Sequence, residues 1–176
     1  LKAGTFRPNT LFLTLGDDAR KDETIKSLVT HAVKQKMGTI ILHHYERAAF
    51  GMQKDINLWL RDGSPNWHLA MLIALQLQLN WEGTINLITV APDQKEVDRQ
   101  YRFLEGLGDQ VRLPSMTDFH VLVGTFTPNL TKAPRADINI FGMPEKLSLD
   151  FLRDVSQRTK SSCLFVGDSG QESALV

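Results

Sequence analysis

Apolar positions along this chain follow two alternating rhythms. Short runs that are continuous or spaced by two give way to longer runs spaced by three and four. The first rhythm suits strands and the second suits one face of a helix. Residues 10–15, TLFLTL, read as a buried strand that ends at Gly16-Asp17-Asp18. Ile25, Leu28, Val29, Ala32 and Val33 then predict a helix over about residues 22–36, with Gly38 as its stop. Residues 39–43 form the next strand, and a polar connection with Gly51 runs to Lys54.

The stretch from Asp55 to Ala91 carries most information. Ile56, Leu58 and Leu60 alternate with less apolar neighbours, and Asp62-Gly63-Ser64-Pro65-Asn66 breaks the pattern with turn residues. Ser64 before Pro65 suits a helix start, because a first-turn residue needs no amide donor, and Asn66 is a competing cap. Between Trp67 and Leu79 the only strongly polar side chains are His68, Gln76 and Gln78. A helix of that composition is expected to be covered on most of its circumference, with Leu69, Leu72, Ile73 and Leu77 largely buried, together with Leu87 and Ile88. Trp81-Glu82-Gly83 turns the chain into a β-branched strand over residues 84–90. Two parallel strands need such a helical crossover.

Alternation continues to the end. A helix opens at Ala91-Pro92-Asp93, carries Val97, Tyr101, Leu104 and Leu107 on one face, and is expected to stop at Gly106 and Gly108. Val111 and Leu113 suggest a short strand, residues 119–123 a longer one, and residues 125–135 a loop. A strand over 137–141, a helix near 148–160 and a last strand over 162–166 complete the series. The fold class is therefore α/β, three layers αβα around a mainly parallel sheet, in one domain spanning residues 1–176.

Composition narrows the function classes. Lysine plus arginine and aspartate plus glutamate number 20 each, so there is no global field for nucleic acid or anionic lipid. No apolar run approaches the roughly 20 residues of a membrane span. Cys163 is the one cysteine, which excludes an internal disulfide framework and reads as a buried thiol. The chain opens on Leu1 rather than methionine, as expected of a fragment of a longer protein.

Candidate chemistry is sparse. His31, His43, His44, His68 and His120 include no pair at the helical spacing of a zinc site, so no metal is expected. Ser169 lacks a nucleophile elbow, and no acid, base and nucleophile set points to catalysis. Loops at strand ends are the remaining places for a ligand. These are Gly16-Asp17, Asp62-Gly63 and Gly167-Asp168-Ser169, each of which can present backbone amides. The plainer reading of each is a turn or cap. Neither a Walker lysine nor a three-glycine fingerprint accompanies them, and no cofactor is expected. Gly167 and Gly170 are similar to the first half of the nucleotide loop of universal stress proteins.

Several segments together resemble one family. Phe6-Arg7-Pro8-Asn9-Thr10-Leu11 is similar to the KPNTL opening in the carboxyl-terminal cytosolic domain of cation–chloride cotransporters. Asn57-Leu58-Trp59 through Asp62-Gly63 resembles that domain's N-x-W-W…D-D-G segment, and Ala136 to Pro144 resembles its A-N-I-I-V-x-x-L-P strand. The resemblance implies a universal-stress-protein-like fold and the second half of a cytosolic domain. It further implies a sodium-, potassium- or chloride-coupled membrane transporter with which this chain works at the cytoplasmic face. The chain departs from the vertebrate pattern: Leu60 and Arg61 replace the second tryptophan and one aspartate, and the insertion before the last strands shrinks to about residues 125–135. A prokaryotic or divergent member is implied.

That family domain pairs with a second copy, so a homodimer is expected. The candidate contact residues are Phe141, Met143, Phe151, Leu152, Leu175 and Val176. Three readings follow: a non-catalytic regulatory and assembly module, a sensor of a nucleotide or other small ligand, and an enzyme. The first is favoured by the resemblance, and the third lacks residues to carry it.

Overall fold

A computed structural model of the protein describes residues 9–175. The opening motif through Pro8 and the contact candidate Val176 lie outside the described residues.

Chain order is β1 (Thr10–Leu15), α1 (Asp22–Lys34), β2 (Gly38–His43), β3 (Asp55–Trp59), α2 (His68–Trp81) and β4 (Thr84–Ala91). Next come α3 (Val97–Val111), β5 (Thr117–Val123), the short α4 (Phe126–Asn129), β6 (Ile138–Gly142), α5 (Leu149–Thr159) and β7 (Ser162–Gly167). Among the described residues the strands form one seven-stranded sheet in the order β1-β2-β7-β6-β3-β4-β5. Every neighbouring pair is parallel except β2 and β7. The expected three-layer, mainly parallel architecture is therefore present. The single antiparallel junction turns β1 and β2 against the other five strands, so their carboxyl ends lie at the opposite edge of the sheet.

Each face carries its own core. On one, Ala70, Met71 and Ala74 of α2 and Leu104, Leu107 and Val111 of α3 pack on Ile56, Leu58, Ile85, Leu87 and Ile140. On the other, α1 and α5 bring Ile25, Val29, Leu152 and Val155 against Leu15, Ile41, Trp59, Phe141 and Phe165. Central strands β3, β4, β6 and β7 are buried on both faces, whereas β1, whose apolar run reads as a buried strand, lies at the sheet edge with Phe12 55% exposed.

Polar residues also sit in this core. Asn139, Asn57 and Asn86 occupy one register across β6, β3 and β4. Asn86 donates to the Asn57 side-chain oxygen at 2.9 Å, and Asn57 donates to the Pro134 carbonyl at 2.8 Å. Asn139 accepts the Trp59 indole N–H at 2.8 Å and donates to Ser161 at 2.6 Å. A slip of one residue would turn this row toward the opposite, mainly apolar core and strand its amides there, so the row helps to define the register.

Helix α2 departs from expectation in one respect. Ala70, Met71 and Ala74 face the sheet, whereas Leu72 is 39% exposed, and Leu69, Ile73 and Leu77 are only half-buried. Leu87 and Ile88 are fully buried, as expected. Apolar residues all round the helix leave periodicity unable to select its inner face, and the small alanines permit the closest approach. Met71→Ala is expected to cost about 2–5 kcal/mol, whereas Leu72→Ala should stay within about 0.5 kcal/mol of the parent. Urea denaturation of the two variants checks the assignment.

Two other boundaries differ. Helix α3 runs through Gly106 and Gly108 and ends at Arg112, whose φ of 52° caps it in the left-handed region. Gly108 serves packing rather than termination: a Cβ there would approach Leu113 and Phe119 to 3.2 Å. Val111 is accordingly the last residue of a helix, not part of a strand. The expected loop at 125–135 contains α4.

The connection from β2 to β3 is held down at two points. Ser162 Oγ donates to the Ala49 carbonyl at 2.6 Å and accepts from the Tyr45 amide at 3.0 Å. Asp137 accepts the amides of Met52, Lys54 and Asp55 at 3.1, 2.7 and 3.1 Å. Burial by itself raises the Asp137 carboxyl, but the three amides outweigh it and hold it below the ordinary 3.8. A depressed folded value gives stability that is present above 3.8 and is lost as pH falls through the folded value. Asp137→Asn should therefore cost about 1–3 kcal/mol at neutral pH, and the gap from the parent should close in acid. Paired denaturation curves across pH test this.

Candidate functional site

Strands β3, β4, β6 and β7 end at the same edge of the sheet. From β3 the chain crosses through α2 to β4 and β5, then returns through α4 to β6 on the other side of β3. Loops diverge at such a reversal and leave a crevice. Here the crevice is a cavity of about 490 Å³. Trp59, Phe126, Phe141, Phe151, Val155 and Phe165 line its interior, and Arg61, Ser64, Asn66, Met143 and Glu145 surround its mouth.

Its rings are ordered. Trp59 and Phe141 lie nearly parallel with centroids 5.5 Å apart, and Phe141 and Phe165 repeat that spacing at an angle of 16°. Phe126 meets Trp59 and Phe141 edge-on, at 5.6 and 5.9 Å. Offset stacks and edge contacts are the favoured aromatic geometries.

The loops of this edge are tied together by side chains distant in sequence. Asp168, just past β7, accepts the amides of His68 and Leu69 at 2.9 and 3.2 Å. The expected local caps, Ser64 and Asn66, do not take this role; α2 has no side-chain cap from its own N-cap residue, Trp67. Burial raises the Asp168 carboxyl, which the His68 and Leu69 amides offset only in part, and the negative Glu172 nearby adds to the rise. Asn66 accepts from the Asp168 amide at 3.2 Å and donates to the Met143 carbonyl at 3.1 Å. Glu172 folds back to accept the Ser169 amide and hydroxyl, both at 2.8 Å.

The sequence-predicted ligand residues thus fall in three places. Gly167, Asp168 and Ser169 adjoin the α2 terminus, where the Asp168 carboxylate takes the position of an anionic ligand. Gly167 is a strand residue whose missing Cβ gives room to Thr39. Asp62 and Gly63 follow β3 on the same edge; Asp62 lies 3.9 Å from Arg99, and Gly63 adopts a φ of 73° in an open turn. Gly16 and Asp17 are at the opposite edge, because β1 runs the other way. There Arg153 donates to the Gly16 carbonyl at 2.8 Å, and the buried His43 lies 3.1 Å from Asp17. The three loops do not build one site.

Among the contact candidates, Leu152 is fully buried and Phe141 is 4% exposed. Their side chains belong to the core, which withdraws them as surface contacts. Phe151 and Leu175 remain exposed, and Met143 is half-exposed at the cavity mouth. Sequence reading missed the cavity. Its aromatics are scattered over β3, α4, β6, α5 and β7, so no short window of sequence gathers them.

Among the described residues no group of three or more His, Cys, Asp and Glu side chains is placed to hold a metal ion. None of the helices among the described residues is long and apolar enough to cross a membrane. Cys163 is fully buried, and burial pushes its thiol up to about 11 despite hydrogen bonds that act the other way, so it is no thiolate nucleophile at neutral pH.

Residues 51–175 match the family model described as "Prokaryotic cation-chloride cotransporter, C-terminal domain, 2nd". The chain belongs to the prokaryotic cation-chloride cotransporter family. Residues 1–50 match the companion model for the first part of the same C-terminal domain. The join falls in the connection between β2 and β3, so the cotransporter sheet crosses it: β1 and β2 match the first model, and β3 to β7 the second. The solved "cytoplasmic domain of a prokaryotic cation chloride cotransporter" is 34% identical, with a TM-score of 0.88, over 97% of this chain and 67% of that one. A universal stress protein from Archaeoglobus fulgidus is 16% identical with a TM-score of 0.55, over 89% of this chain and 60% of its own. A putative universal stress protein from Pseudomonas aeruginosa is 12% identical with a TM-score of 0.52, over 92% and 64%. These last two show the fold alone. No curated protein matches the chain. The cotransporter chain is a non-catalytic domain of a transporter.

Proposed function

We propose that this chain is the regulatory and assembly part of its transporter. It lies at the cytoplasmic face, couples to the transmembrane domain of its own protein and pairs with a second copy. The match of residues 51–175 to the C-terminal domain model carries the reading. The transporter is expected to be sodium-, potassium- or chloride-coupled. The chain acts as one sheet unit, and the Ser162 ties to Tyr45 and Ala49, together with the pairing of β2 with β7, cross the join between the two matches and support that.

Pairing is favoured by exposed apolar side chains at this edge. Phe151 and Leu175 are 36% and 48% exposed. A specific dimer would bury roughly 1,200–2,000 Å² in all. Light scattering across micromolar concentrations should show a dimer, which Phe151→Glu combined with Leu175→Glu weakens without lowering the melting temperature. A chain that stays monomeric, together with unchanged chloride flux when this region is deleted from the reconstituted transporter, would reject the proposal.

A further inference from the structure

We propose that the cavity at the carboxyl ends of β3 and β6 binds a flat, uncharged ring compound with one polar substituent directed to the mouth. A volume of about 490 Å³ suits a small organic molecule.

The interior selects for a ring. Trp59, Phe141 and Phe165 form a row of near-parallel rings, and Phe126 closes one side edge-on. The Trp59 N–H is already donated to Asn139, so its indole adds only carbon surface to the cavity. Thr89, the other polar group inside, spends its hydroxyl on Gln100 at 3.3 Å. A charged group placed here would lose its water without gaining a partner.

The mouth selects for one modest polar group. Asn66 is engaged at both ends of its amide, by Met143 and Asp168. Ser64 Oγ accepts the Asn66 amide at 3.3 Å and keeps its own proton to donate. Arg61 and Glu145 form an exposed pair 3.7 Å apart, too long to hold either side chain firmly. A donor or acceptor on the ligand can therefore reach Ser64, Arg61 or Glu145.

A polyphosphate is disfavoured by the same geometry. The His68 and Leu69 amides at the start of α2 are occupied by the Asp168 carboxylate. Backbone approach at Gly142 is filled by Asn66, whose carbonyl oxygen would lie 2.8 Å from a Cβ there.

The test is a titration of the labelled chain with indole, adenosine, ATP and decanoate, followed by amide shifts and the Trp59 indole signal. Indole and adenosine should shift Asn66, Gly142, Met143 and Trp59, with ATP binding no tighter than adenosine. Val90→Phe, which places a ring into the cavity wall, should weaken indole binding about tenfold, or about 1.4 kcal/mol. Should that variant not fold, Ser64→Ala should weaken adenosine while leaving indole unchanged. Absence of shifts at these residues at low millimolar indole and adenosine overturns the site. ATP binding tenfold tighter than adenosine, or decanoate tighter than indole, overturns the ligand class. Phe151 belongs to both the cavity lining and the proposed pairing surface, so Leu175→Glu, outside the lining, separates the two: it should weaken the dimer and leave indole binding unchanged, and loss of indole binding in it overturns the site.

Discussion

Trp59→Ala is expected to destabilise the chain by about 3–5 kcal/mol, the largest effect of any single truncation considered. The ring is 6% exposed and touches the core, the cavity and the buried polar row at once. Its loss removes the stacking on Phe141 and the edge contact with Phe126. It also leaves the Asn139 side-chain oxygen without the donor now 2.8 Å away. Trp59→Phe separates these contributions. It keeps a ring against Phe141 and loses the indole N–H, so about 1–3 kcal/mol should remain as the cost of the stranded acceptor. Equilibrium urea denaturation measures both. Equal losses in the two variants would assign the whole effect to the hydrogen bond, and no loss in Trp59→Phe would assign it to packing.

Gly83→Ala is expected to cost about 3 kcal/mol, at the upper end of the range for overpacking. A Cβ on Gly83 would fall on the Lys54 carbonyl oxygen, far inside van der Waals contact. That carbonyl accepts the Thr84 amide at 2.8 Å, the first bond joining β3 to β4. The obstacle is backbone at the start of two central strands, which cannot swing aside as a side-chain tip can. Gly106→Ala is the control: nothing lies within 4 Å of a Cβ there, and alanine favours the helix, so stability should hold or rise slightly. Thermal melting of the pair tests whether space, rather than loss of glycine, decides the outcome.

Local pattern carried the elements well because each is encoded by near neighbours. The α1 periodicity, the turn chemistry at Asp62-Gly63 and the β-branched run of β4 all placed elements within a few residues. It carried less where packing outranks propensity. Gly106 and Gly108 read as stops, yet α3 passes through them because Gly108 lies close against Leu113 and Phe119. The inner face of α2 was illegible because apolar residues surround the helix, and only the sheet beneath it distinguishes Met71 from Leu72.

Fold class, the order of the main strands and helices, and the family motifs were determined by the sequence itself. They depend on residue type and short spacing, which physical chemistry reads locally. Tertiary structure alone decided the rest. It reversed β1 and β2 against the other strands, which separated Gly16 and Asp17 from the other predicted loops. It set Asp168 on the start of α2, about a hundred residues away along the chain. It drew Trp59, Phe126, Phe141 and Phe165 into one cavity, and it moved Phe141 and Leu152 from candidate contacts into the core. Each of these depends on strand order and crossing direction, which are settled by burying two sheet faces at once, and no local window contains that condition.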